Sequence, residues 1–355
     1  MTMSEIPVRG EEFRDDLRPL AATPAPRAGV GKSGARRVLA AAELAPLTEL
    51  SDLRSLFALS VTLSIAALAI AFGVTMWPSP WVVLSVLVVG VQLHGLFILA
   101  HESAHYRLFR SRWLNDAVGR AIGMAGGISM CTYRVIHRLH HNNLYTDEDP
   151  DTAIHGGYPR GKAYLWKKLA QDAVGLNAWK TFAYFFGAPA INAATNRAAR
   201  PLDDTSDALR TSARRDRWAV VAFQLGAPLA AFLLGGWHAL VLYFVFWVLP
   251  MLTVLQPILR LRAIAEHGAV SDLSSPLTAA RCNRTGGSLL NVLGRAALFP
   301  HHVNYHLEHH LYPAVPHYRL PALHRLLQSK GVLEGAEVRD VDDTMRRIFA
   351  PRASR

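Results

Sequence analysis

The sequence predicts an all-α membrane protein, in which four transmembrane helices, arranged as two hairpins, carry a cytoplasmic helical cap that holds a metal site. Three observations lead there. First, residues 55–101 and 218–259 contain no Lys, Arg, Asp or Glu, although the 355-residue chain has 38 basic and 27 acidic residues. A span needs about 20 apolar residues, so each uncharged block can supply two. Second, every basic residue falls before, between or after these blocks. Under the positive-inside rule this places both termini and the central segment in the cytoplasm, as for a bacterial-type inner-membrane protein. Third, eight of the 16 histidines lie in three short stretches, His101–His105, His137–His141 and His306–His310.

Residues 1–50 are rich in Pro, Ala, Gly and Arg and read as a cytoplasmic tail, with an interfacial helix possible from Arg36 to Leu50. No apolar run of signal-peptide length occurs there, so no cleaved leader is expected. The integral domain covers 51–330. Its first span runs over about 56–77, with Ser51 as N-cap just ahead. Trp77-Pro78-Ser79-Pro80-Trp81 makes an outer turn flanked by interfacial aromatics. The second span, about 81–100, delivers His101 at the inner membrane surface. His94, two turns earlier on the same face, is a candidate for lining a substrate path.

The segment from 106 to 217 is cytoplasmic. Ala117–Cys131 is too short and Gly-rich to span, and Tyr133–Asn143 reads as a helix. Asp147, Glu148, Asp149 and Asp151 follow and could hydrogen-bond the second nitrogen of metal-bound imidazoles. Leu176–Ala194 is a second interfacial candidate, and Thr195–Arg217 reads as polar connector. The third and fourth spans, about 218–234 and 239–259, turn at Gly235-Gly236-Trp237-His238, with Pro228 and Pro250 as candidate kinks. Residues 270–300 form a loop, Pro321–Gln328 begins an amphipathic helix, and 331–355 is a cytoplasmic tail.

The histidine spacings are HxxxH, HxxHH and HxxHH. On a helix, residues i, i+3 and i+4 share one face, so each stretch aims two or three imidazoles at one spot. Imidazole is the commonest protein metal ligand. Eight convergent rings exceed the need of one ion, so the pattern implies two metals. His267 leaves the membrane at the level of His101 and joins as a ninth candidate. His302 would share the face of His306, and Asn304 could position a metal-bound water. His155, His238, His317 and His324 read as surface or structural residues.

If such a site acts on an unactivated aliphatic C–H bond, redox iron is the expected metal, because that bond offers no carbonyl for a Lewis acid such as Zn²⁺ to polarise. Bound imidazoles must be unprotonated, so activity should fall in acid. Net charge is +11, but no basic–aromatic nucleic-acid motif accompanies it, so nucleic acid is not expected as a partner. Cys131 and Cys282 lie in reducing compartments and are not expected to pair. A rival reading takes His101-Glu102-Ser103-Ala104-His105 as HExxH, with two zinc ligands and Glu102 as general base of an intramembrane metalloprotease. It leaves both HxxHH clusters without purpose. A metal transporter would place its ligands within the bilayer rather than at helix ends.

Over roughly residues 55–330 the chain resembles the membrane fatty acid desaturase superfamily. The resemblance rests on HESAH after the second span and on Arg134–His141 followed by Asp149-Pro150-Asp151. It continues in Ala265-Glu266-His267-Gly268 and in Asn304-Tyr305-His306-Leu307-Glu308-His309-His310-Leu311-Tyr312-Pro313. It implies four spans under a cytoplasmic cap and a non-haem di-iron centre held by His101, His105, His137, His140, His141, His267, His306, His309 and His310. It also implies O₂ as co-substrate and a fatty acid or fatty acyl lipid as substrate in the membrane. Desaturation is the first expectation. A decarboxylase forming 1-alkenes is the nearest alternative, and an alkyl or lipid hydroxylase the next. Some acyl-CoA desaturases carry an Asn four residues before the ninth histidine; here that position is Ala263. No cytochrome b5 motif is fused, so electrons must come from a separate protein such as a ferredoxin with its reductase. A basic cytoplasmic face suits an acidic donor.

Overall fold

The computed structural model describes residues 38–352 except 147–148, 192–197, 200, 203–204, 274 and 287–288. It is mostly helical. A short helix α1 (Ala41–Thr48) fills part of the interfacial helix expected from Arg36 to Leu50. Among the described residues, three apolar helical runs are long enough to cross a membrane: α2 (Asp52–Thr75), α3 (Val82–Ala104) and the stretch Asp207–His267. Ser51 caps α2 as expected, its side chain accepting the Arg54 N–H. α2 and α3 pack as a hairpin. Leu53, Phe57 and Leu68 of α2 face outward, each at least 70% exposed, whereas α3 is enclosed along its inner half. An exposed apolar surface of this extent suits lipid rather than water.

The third run begins earlier than expected. The helix α9 (Asp207–Tyr243) starts within the stretch read as polar connector. It breaks at Gly235 and Gly236. Gly236 has φ 62° and ψ −155°, a conformation that a side chain would resist. Helical dihedrals persist at Pro228, so it does not interrupt the helix. Pro250 does disturb its surroundings: a π-type turn spans Phe244–Val248 just before it. Proline cannot donate the backbone bond of an unbroken helix. After α10 (Leu249–Leu252), α11 (Leu255–His267) carries the chain to the ninth histidine. Gly90 of α3 lies where any Cβ would collide with Val254, so a small residue lets the two apolar runs approach closely.

The remaining helices gather at the His101 and His267 ends of these runs. They are α4 (Arg112–Ala125), α5 (Met130–Asn143), α6 (Thr152–His155), α7 (Lys162–Ala173), α8 (Ala178–Phe185), α12 (Leu289–Leu298), α13 (His306–Leu311), α14 (Leu320–Ser329) and α15 (Val341–Ile348). Strands are minor. β1 (Ala190–Ile191) pairs antiparallel with β2 (Ala198–Ala199), and β3 (Cys282–Arg284) pairs parallel with β4 (Val338–Asp340). The loop expected over 270–300 therefore holds a strand and a helix. The expected tail from 331 is no free appendage either. β4 joins the sheet and α15 buries Val341, Thr344 and Ile348.

Candidate metal centre

Buried polar side chains fasten each histidine-bearing segment. Asn115 is fully buried between α3 and α4. Its Nδ2 donates to Ser103 O (2.9 Å) and its Oδ1 accepts from Leu108 N (3.1 Å), while Ser103 Oγ donates to Asn115 O (2.9 Å). This locks the end of α3, where His101 and His105 sit. Asp216 of α9 accepts from Ser129 Oγ (3.0 Å) and Cys131 N (2.8 Å), fixing the start of α5 and so the phase of His137, His140 and His141. Arg281 donates to the carbonyls of Ala265 (2.9 Å), Gly268 (3.0 Å) and Ala269 (3.0 Å). Those carbonyls close the C-terminal end of α11, where helical acceptors lack partners of their own. Asn283 binds the same Ala265 carbonyl (3.1 Å) and, through its backbone N–H, Asn304 O (2.8 Å). It thereby ties α11 to the entry of α13.

These anchors bring all nine histidines together. His101, His105, His137, His141 and His309 form one group, and His140, His267, His306 and His310 a second. Within each, one nitrogen per ring lies within 4.8 Å of the others. The groups abut: the rings of His141 and His310 stack at 4.1 Å. Many contacts run nitrogen to nitrogen. Nε2 atoms approach at 2.8 Å for His105–His137, 3.0 Å for His137–His141, 2.8 Å for His267–His306 and 3.1 Å for His306–His310. One proton per pair can satisfy such a contact, yet the Nε2 atoms of His137, His141, His267 and His306 each take part in two, and His101 Nε2 is buried without a hydrogen-bond partner. Converging lone pairs of this kind fit cations, and the donor set of soft-to-borderline nitrogens suits iron, zinc or copper. Burial, followed by the neighbouring imidazoles, holds His137, His141, His306 and His309 far below the usual histidine range. Their neutral form is the one that binds metal.

Carboxylates stand behind the rings. Asp149 Oδ1 lies 2.9 Å from His140 Nδ1, and Asp151 Oδ2 3.6 Å from it. Burial opposes charge on His140, but these two anions lift it to about 9. They also fix the tautomer that leaves Nε2 facing the group. Glu266 Oε1 is 3.6 Å from His306 Nδ1, Glu102 Oε1 is 3.5 Å from His101 Nδ1, and the Ala279 carbonyl is 3.2 Å from His267 Nδ1. Of the four acidic residues expected in this role, Asp149 fills it and Asp151 stands near the same nitrogen but beyond hydrogen-bond distance; Asp147 and Glu148 lie outside the described residues. Glu102 faces the back of His101 and accepts the His317 N–H at 2.9 Å. It is turned away from where a protease base would stand.

Several sequence expectations are corrected. His302 joins neither group. His301 and His302 both have positive φ (53° and 61°), and α13 starts only at His306, so the four-residue spacing does not place them on one face. His302 instead lines an apolar groove with His301, His317 and Phe57. Asn304 is a joint between segments, its Nδ2 donating to Asn283 O at 3.1 Å. His155 and His317 are not surface residues: both are over 95% buried. His155 packs against the rings of His140 and His267. His324 is half-buried beside Glu308 and Cys282. Cys131 and Cys282 are free, as expected. His94 is buried, with Nδ1 2.9 Å from the Ala297 carbonyl. The roles of Glu102 and Glu266 were missed, although Glu266 directly precedes a predicted ligand, as Glu102 follows one.

Apolar membrane-crossing helices that end in two packed histidine groups define a membrane metalloprotein of the histidine-cluster class. The fatty acid desaturase family model matches residues 53–340, and the chain belongs to that family. It is 30% identical to a dihydrorhizobitoxine desaturase of Bradyrhizobium elkanii, over 77% of this chain and 76% of the relative. It is 24% identical to an sn-1 oleoyl-lipid 12-desaturase of Synechocystis sp., over 76% and 75% respectively. A further sn-1 oleoyl-lipid 12-desaturase, from Anabaena variabilis, is 31% identical over 27% of each chain. The chain is therefore a desaturase-like oxidoreductase.

Proposed function

We propose that the nine histidines hold two iron ions and that the protein uses O₂ to oxidise C–H bonds of a fatty acyl chain, with desaturation as the reaction. The observation that carries this reading is the packing of nine imidazoles into two abutting groups at the ends of apolar helices. The metal pair would supply an oxidant strong enough for an unactivated C–H bond. The chain's own contribution is to position. His101, His105, His137, His141 and His309 hold one ion, and His140, His267, His306 and His310 the other. Asp149 orients His140 through a hydrogen bond at Nδ1, and Glu266 and Glu102 place negative charge behind His306 and His101. The apolar runs offer a lipid-like route for the substrate. In balance, the substrate gives up two hydrogens, and O₂ takes these, two further electrons and two protons to leave two waters. A separate donor such as a ferredoxin with its reductase supplies the electrons. Loss of CO₂ in place of the second hydrogen would give a 1-alkene; hydroxylation is the other alternative.

The test is metal analysis of the purified protein together with mass spectrometry of lipids and headspace volatiles from expressing cells. About two Fe per chain and a new unsaturated or shortened product are expected. A single Zn, or Fe-loaded protein that alters no acyl product, would end this reading. The break at Gly235–Gly236 supports four spans in two hairpins with both termini cytoplasmic, in keeping with the distribution of basic residues. A His238→Cys protein should then react with a membrane-impermeant thiol reagent applied to the outer face of the inner membrane. Reaction only after that membrane is opened would refute the arrangement.

A further inference from the structure

We propose that Arg262 binds the carboxylate of the substrate, so that the protein takes a free acid and oxidises carbons near its head. The inference rests on the acyl-oxidising function above and deepens it. Arg262 lies on α11 one turn before Glu266 and His267, about 7 Å along the axis from the ninth histidine, on the membrane side of the metal centre. Its side chain is 11% exposed, and its Nε stands 3.5 Å from Glu266 Oε2. That contact lacks hydrogen-bond geometry: among the described residues, neither Nε nor Nη1 meets an acceptor. A guanidinium so enclosed, beneath sites built for two cations, is costly unless an anion sits against it. Glu266 is the carboxylate beside it, but at 3.5 Å and without hydrogen-bond geometry it leaves Nε and Nη1 without an acceptor.

The surroundings select the class of anion. An apolar groove of about 380 Å³ runs along the same helix, lined by Trp166, Leu169, Ala173, Ile258, Leu261 and Leu298. Ile258 is four residues before Arg262 and shares its side of α11. One hydrocarbon chain in the groove and one carboxylate on the guanidinium describe a single-chain fatty acid. Arg binds carboxylate in a planar, two-pronged fashion that neither an alcohol nor an ester reproduces. With the head held there, the second and third carbons, rather than a mid-chain pair, lie closest to the histidine groups. This placement puts the oxidation, whether it ends in desaturation or in loss of CO₂, at the head of the chain rather than at a mid-chain pair.

The experiment is equilibrium binding to the metal-loaded full chain in lipid nanodiscs, with dodecanoate and dodecan-1-ol competing against a fluorescent fatty acid. The parent should bind the acid at least about tenfold more tightly, the gain expected of a charged hydrogen-bonded contact. Arg262→Gln should abolish that preference while metal content stays at the parent level and alcohol affinity is unchanged. A parent without acid preference, or an Arg262→Gln protein that keeps it, overturns the proposal. Should Arg262→Gln lose metal, Arg262→Lys decides: a point charge must weaken the preference, and an undiminished one overturns it. Binding is read without turnover, so acid preference in a protein that oxidises nothing would fail the proposed function alone. Acyl oxidation without acid preference would fail this inference alone.

Discussion

A His306→Ala protein is expected to retain about one metal ion per chain in place of two and to lose oxidation entirely. His306 belongs to the smaller group, and its removal leaves three imidazoles there while all five rings of the other group remain. A His309→Ala protein should behave differently. It leaves four rings in each group, so both ions should be retained at first and one released faster to a chelator. Disturbing a residue that merely orients a metal-bound histidine costs about 10–100-fold in affinity or activity. Asp149→Ala sets that scale here, through His140, and removal of a direct donor should exceed it. Metal content per chain after dialysis against a chelator separates the three variants, with size-exclusion behaviour checking that each is folded. A His306→Ala protein holding two ions would show that His306 is not a donor and would dismantle the five-and-four division.

The histidine boxes were legible because their spacing is the helix's own. His137, His140 and His141 fall on one face of α5 whatever surrounds it, and the uncharged blocks announce the apolar runs by composition alone. Expectation failed where position depends on tertiary packing. His155 and His317 stand alone in the sequence and look like surface residues, yet each is buried by segments far away in the chain. The His302 expectation assumed a helix through 302–306, and the left-handed backbone at His301 and His302 removes it. Arg262 reads as one more basic residue at a membrane boundary; that its Nε and Nη1 are buried without an acceptor, 3.5 Å from Glu266, is set by packing the sequence does not display. The segment after 331 has no long apolar run. It is held by a two-strand register, three buried side chains and a charge pair, none visible as periodicity.

That charge pair carries the second large expectation. Glu337→Ala should destabilise the fold by about 3–5 kcal/mol, the usual cost of leaving one partner of a buried ion pair unmatched. Arg281 and Glu337 are 0% and 1% exposed, with Nη2 and Oε1 3.0 Å apart. The guanidinium also holds the Ala265, Gly268 and Ala269 carbonyls around His267, so the damage should reach the four-histidine group and lower its metal content. Glu337→Gln keeps an acceptor and should cost less. An Arg281→Met/Glu337→Leu pair should cost less than the two single changes combined, because no charge is then stranded. The pair also sets an acid limit. Burial would raise the Glu337 carboxyl, but hydrogen bonds from Arg339, Ser271 and Arg281 hold it at about 2. A carboxyl depressed on folding stabilises fully above its ordinary range and loses that contribution as pH falls towards the depressed value. The parent should therefore weaken between about pH 5 and 2 more steeply than Glu337→Gln does. Chemical unfolding in detergent across that range, with metal content measured alongside, reads both effects. A Glu337→Ala protein within about 0.5 kcal/mol of the parent, as for an ordinary surface change, would mean that the C-terminal segment does not brace the metal centre.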